Sequence, residues 1–92
     1  MNKNDQSEKT IEIGTEIYYT GDMANQEGCG AVIAGPRNGE WLVGLDDGRA
    51  FWVSELGIGT TYNGTCNPRF VLASARRAFR EDVMSKLQRA GR

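Results

Sequence analysis

Asp46 and Asp47 stand side by side in a run that reads Trp41-Leu42-Val43-Gly44-Leu45-Asp46-Asp47-Gly48-Arg49-Ala50-Phe51-Trp52-Val53. Two neighbouring carboxylates can divide general acid and base work when their surroundings push their proton affinities apart. In a turn before glycine, though, aspartate ordinarily bonds to backbone two residues on. Histidine is absent, so the side chain that most readily trades protons near neutral pH is missing. Cys29 and Cys66 are the only thiols, and neither has an imidazole to activate it. A structural zinc site usually takes four Cys or His ligands, so no metal is expected. Gly57-Ile58-Gly59 lacks the strand–loop–helix setting of a phosphate cradle, and Asn63-Gly64-Thr65 is a sequon with meaning only in a secreted chain. The residues point to binding rather than reaction: no enzyme and no cofactor are expected.

Binding chemistry has two sources. Residues 1–72 carry ten acids and five bases, whereas residues 73–92 carry six bases (Arg76, Arg77, Arg80, Lys86, Arg89, Arg92) and two acids. A basic segment after an acidic body can meet a polyanion, or be drawn to the body itself. Arg76, Arg77 and Arg80 are the candidate phosphate contacts. The second source is aromatic: Tyr18, Trp52 and Tyr62 are candidates for a surface that stacks bases at about 1–3 kcal/mol each, or that meets a protein partner. The simpler expectation for Tyr18 and Trp52 is that they pack beneath a helix or at a contact between two copies.

Short strands must position these groups. Residues 1–10 are polar and aperiodic and are read as an arm. Glu16–Thr20 reads as a first strand, residues 21–28 as a polar loop, and Cys29–Ala34 as a second strand closed by a turn over Gly35-Pro36-Arg37-Asn38-Gly39. The run around Asp46-Asp47-Gly48 supplies two more strands as a hairpin. Ser54-Glu55-Leu56 reads as a turn and Arg69–Leu72 as a fifth strand. Alternation places Ile17, Tyr19, Val32, Trp41, Val43, Leu45, Phe51, Val53 and Leu56 inward, and Tyr18, Leu42, Ala50 and Trp52 outward. Ser74 is a plausible cap for a helix that stops at Gly91. Its apolar stripe, Ala75, Phe79, Val83, Leu87 and Ala90, is the nearest cover for the outward apolar residues. The two cysteines are expected to be small buried or half-buried hydrophobes.

Gly14-x-x-Ile17-x-Tyr19, then Trp41-x-Val43-x-Leu45-Asp46-Asp47-Gly48, then Val53 and Leu56, resembles the pattern of Tudor-like small barrels. Gly28, Gly30 and Val32 are loosely similar to a KOW motif. The likeness covers residues 14–56 and implies an SH3-like barrel over residues 11–72, mainly β with about five short antiparallel strands, followed by an amphipathic α-helix over residues 73–92. It implies little about a ligand. Residues 22–27, in the loop where that family carries cage aromatics, contain no aromatic residue, which argues against a methylated-ammonium cage.

The expected function is a non-catalytic binding module making protein–protein contacts, with self-association included. Size and style suggest a small stand-alone prokaryotic, plasmid or phage protein. The alternative is a nucleic-acid-binding accessory protein using the basic helix. A pore-forming oligomeric enzyme on the same architecture is the third reading, and no motif here supplies one. No run approaches the roughly 20 apolar residues of a membrane span, and the N-terminus lacks a secretory signal's apolar stretch, so a cytoplasmic location without membrane partners is expected.

Overall fold

Alternation of apolar and polar residues becomes six strands and one helix in the computed structural model, which describes residues 10–90. All but the last residue of the arm expected over residues 1–10 lies outside the described residues, as does the stop expected at Gly91. The strands are β1 (Glu16–Tyr19), β2 (Gly28–Arg37), β3 (Glu40–Leu45), β4 (Ala50–Ser54), β5 (Ile58–Gly59) and β6 (Phe70–Leu72), and the helix is α1 (Ala73–Ala90). They form one sheet in the order β4-β3-β2-β1-β6-β5, antiparallel throughout except where β5 runs parallel to β6. The long β2 breaks register between Val32 and Ala34 and again before Arg37. Such irregularities bend a strand and add twist, and the sheet curls into a half-barrel. The fold is therefore mainly β with a C-terminal helix, with six strands rather than about five.

The inner face carries the core. Ile17, Tyr19, Val32, Trp41, Val43, Leu45 and Val53 are buried in one cluster with Ile11, Ile58 and Phe70, and Phe51 packs against it. The rings of Tyr19 and Phe70 stack at 4.9 Å, and both meet Phe51. Leu56, expected inward, is 92% exposed. A 3₁₀ turn over Glu55–Gly57, capped by the Ser54 hydroxyl on the Leu56 amide, rotates the chain so that Ile58 fills the core position. The reversal expected across residues 35–39 is also narrower. β2 continues through Pro36 to Arg37, and only Asn38 and Gly39 turn back, both at positive φ as a two-residue hairpin of this hand requires.

β6 runs directly into α1, so the cap expected at Ser74 does not form: the helix begins at Ala73 and Ser74 lies in its first turn. The N-terminal half of α1 lies on the outer face of β1 and β6, where Tyr18, Val71 and Ala75 form a second buried cluster joined by Tyr62 and Leu72. The apolar stripe is covered only in this half. Phe79 and Val83 are half-buried, while Met84 and Leu87 are 53% and 59% exposed.

Thr20 ties the last loop to the first strand. It is buried, and its hydroxyl lies 3.1 Å from the Pro68 carbonyl oxygen and 3.0 Å from that of Arg69, sharing its one proton between them. Thr20→Val keeps the shape and removes the donor. It is expected to cost about 1–2 kcal/mol, read as a lower urea midpoint with unchanged slope; an unchanged midpoint would show that the hydroxyl contributes nothing.

Candidate functional site

The outer face of the sheet divides into a covered half and an open half. Over β1 and β6, α1 covers Tyr18, which is 3% exposed. The Arg76 guanidinium sits 4.4 Å from the centre of its ring, Tyr62 meets it edge-on at 5.6 Å, and its hydroxyl donates to Glu27 Oε1 at 2.7 Å. Burial, and then the Glu27 carboxylate, raise its phenol well above the usual proton affinity. Tyr62 is itself held between Tyr18 and Phe79. These two candidate aromatics therefore belong to the helix–sheet contact.

The helix packs on β1 and β6 and is parted from β2 by a groove, so β2, β3 and β4 form the open half of the outer face. Ala31 is opposite Gly44 in the β2–β3 register, and Leu42 is opposite Trp52 in the β3–β4 register. Gly44 has no side chain, and the exposed Ile33 lies over the space where one would stand. Trp52 is 43% exposed, with the Arg37 guanidinium 5.7 Å from its ring. The structure thus separates Trp52 from Tyr18 and Tyr62, leaving a single aromatic side chain of the three on the open half.

Between α1 and the outer face of β1 and β2 runs a groove of about 790 Å³. Its floor includes Cys29, Gly30 and Ala31, and its helical wall includes Arg76, Arg77, Arg80 and Met84. The three candidate arginines are thus brought to one groove, with different engagements. Arg76 is half-buried on Tyr18, and Arg77 is 3.8 Å from Glu16 across the groove. Arg80 is exposed. Glu16, Asp46 and Glu81 line the same groove, so its charge is mixed.

The groups singled out for reaction chemistry have local roles. Asp47 accepts from the Arg49 backbone amide and from its Nε, and pairs with its guanidinium at 2.8 Å; these contacts, the side chain's first, hold its carboxyl below the usual range. Asp22 is lowered in the same way by the amides of Ala24 and Asn25 and by the Asn25 side chain. Both cysteines are exposed, a correction to the buried or half-buried thiols expected: Cys29 faces the groove because β2 turns that side outward, and Cys66 lies in the loop before β6, its thiol 3.5 Å from the Thr20 carbonyl. Among the described residues, no group of three or more His, Cys, Asp or Glu side chains gathers to hold a metal, and no helix is long and apolar enough to cross a membrane.

Sequence reasoning missed Ile33 and Met84 as surface residues. The signal for Ile33 was present: Ala31 and Ile33 alternate with Val32, so one inward residue implies two outward ones. Met84 had no such signal, because its exposure depends on how far the helix extends beyond the sheet. No family model, curated protein or solved structure matches this chain.

Proposed function

We propose that this chain is a non-catalytic binding module, a variant of the SH3-like barrel, that holds a protein partner on the open half of its outer sheet face. One observation carries the reading: Ile33, Trp52, Met84 and Leu87 are each between 43% and 59% exposed, on the open sheet and on the helix beside it. Large apolar side chains left exposed on an uncovered sheet face are candidates for a site of contact. The Tudor-like pattern supports the barrel type, and the enclosure of Tyr18 and Tyr62 disfavours an aromatic cage, which needs several rings around one cation.

A photoreactive residue in place of Ile33 tests the reading in living cells. It is expected to form protein adducts, whereas the same residue at Asn63, in the loop before β6, does not. Absence of adducts at position 33 would refute it.

The nucleic-acid reading draws on the groove, where Arg76, Arg77 and Arg80 stand together. Phosphate binding of this kind weakens steeply between about 50 and 200 mM salt, and Arg77→Ala should reduce it. The carboxylates in the same groove and the remoteness of Trp52 favour the protein partner.

A further inference from the structure

We propose that the chain, besides holding a partner on its outer face, pairs with a second copy of itself along the free edge of β4 about a two-fold axis at Trp52. The inference rests on the reading of the chain as a protein-contact module and adds a second contact surface to it.

The backbone of β4 shows which groups are available. Leu45 donates its amide to the Arg49 carbonyl at 2.7 Å, and Glu55 donates to the Gly39 carbonyl at 3.1 Å. The register between these bonds is unbroken, with Val43 opposite Phe51 and Trp41 opposite Val53. In an antiparallel ladder, bonded and non-bonded pairs alternate. Phe51 and Val53 therefore direct their N–H and C=O groups to β3, while Ala50, Trp52 and Ser54 direct theirs away. On that side β4 ends the sheet.

Such an edge is normally guarded by lysine, proline, a bulge or a covering element. Ala50-Phe51-Trp52-Val53-Ser54 contains no charge and no proline, and its pairing with β3 is regular.

The sequence of this edge is self-complementary. A two-fold axis perpendicular to the sheet sets Trp52 opposite Trp52 of the second copy, Phe51 opposite Val53, and Ala50 opposite Ser54. Phe51 and Val53 both belong to the inner face, so the two cores continue into one another. The two indoles meet on the outer face, each with its own Arg37. A slip of one residue would join the inner face of one copy to the outer face of the other. Just beyond the strand, Arg49 falls opposite Glu55 on both sides of the axis. This charge complementarity fixes register more than it supplies hold, since Arg49 already pairs with Asp47 and Glu55 already accepts from the Trp41 indole. The pairing closes about six hydrogen bonds between the copies.

The full chain is expected to sediment as a dimer at about 100 μM and to dissociate on dilution. Amide exchange gives the edge its own signature: Trp52 and Ser54 gain protection as concentration rises, whereas Phe51 and Val53 are protected throughout. Ser54→Pro is the decisive variant. The φ of Ser54 is −62°, which proline accepts, and its amide points to the free edge, so the sheet is kept while two inter-copy bonds are lost. The dissociation constant should rise about 10- to 30-fold. Ser54→Ala loses the same hydroxyl cap, keeps the amide and should remain dimeric. Trp52→Lys, which sets like charges together at the axis, should also give monomer.

A strict monomer at about 100 μM overturns the self-pairing and leaves the adducts at Ile33 to decide the broader reading. A dimer indifferent to Ser54→Pro but dissociated by Ile33→Lys overturns the edge pairing and upholds the outer face. A dimer lost in Ser54→Pro, with no adducts at Ile33, upholds the edge and refutes the outer face.

Discussion

Gly30→Val is expected to strip the fold of much of its stability at 25 °C. In β2, Gly30 pairs with Ile17 of β1 on one side and Leu45 of β3 on the other. A Cβ there would fall on the Gly44 carbonyl oxygen and within 2.8 Å of the Leu45 Cα. Both obstacles are backbone, held in register by the ladder around them. Relief requires β2 and β3 to part, with loss of ladder bonds and displacement of Val32 and Leu45 from the core. The cost should exceed about 3 kcal/mol, a large share of the stability of so small a domain. Urea denaturation followed by tryptophan fluorescence reads it. Gly44→Ala is the control: its Cβ would lie 2.9 Å from Ile33 Cδ1, the end of an exposed side chain that can swing aside, so its cost should stay below about 1 kcal/mol. Equal costs for the two variants would refute the distinction between backbone and side-chain obstacles.

The second large effect is expected from Ala75→Asp. Ala75 is 8% exposed, in the cluster with Tyr18 and Val71. A carboxylate there must be buried against Tyr18 and Val71, which costs several kcal/mol unless the Arg76 guanidinium leaves the Tyr18 ring to pair with it. The cheaper outcome is release of α1, which at 18 residues is marginal as an isolated helix. Helical circular dichroism should fall while tryptophan fluorescence still reports a folded sheet.

Tyr18 gives the second readout. In the intact protein its phenol binds its proton more tightly than the usual tyrosine, through burial first and Glu27 second. A group raised in the folded state adds stability below its unfolded value of about 10, and that contribution is lost as pH rises from there through the folded value. The parent protein should therefore lose stability above about pH 10, with tyrosinate absorbance delayed. In Ala75→Asp, Tyr18 should titrate near the ordinary value. Unchanged helicity together with an unchanged alkaline titration would show that α1 is held by something other than this contact.

Much of the fold was legible because two-residue periodicity is a backbone property. Ile17, Tyr19, Val32, Trp41, Val43, Leu45 and Val53 could be placed inward from their spacing alone, and the hairpin through Asp46-Asp47-Gly48 followed from turn chemistry. Leu56 was misplaced because the turn read at Ser54-Glu55-Leu56 is a 3₁₀ turn with its own period, through which two-residue alternation does not carry. The turn at residues 35–39 was drawn too wide because proline and glycine mark both turns and irregular strand segments. The candidate surface was harder. Whether an outward residue such as Tyr18 or Trp52 is covered depends on where α1 crosses the sheet, which is a matter of tertiary packing. The arginines could be listed by number, but Arg76 over a tyrosine and Arg77 beside Glu16 are products of that crossing.

The central position of β1 also sets a timetable. β1 lies between β2, which follows it closely, and β6, which closes on it from far along the chain: Thr20 reaches Pro68 across 48 residues. Hairpins such as β3–β4 can form from local contacts within microseconds, whereas a distant pairing must first meet the entropy of closing its loop. Proteins governed by such non-local pairings fold slowly for their size. The strand made first is thus the one that waits longest for its second neighbour, and a nascent chain holds Tyr18 uncovered until the helix that shelters it has been synthesised.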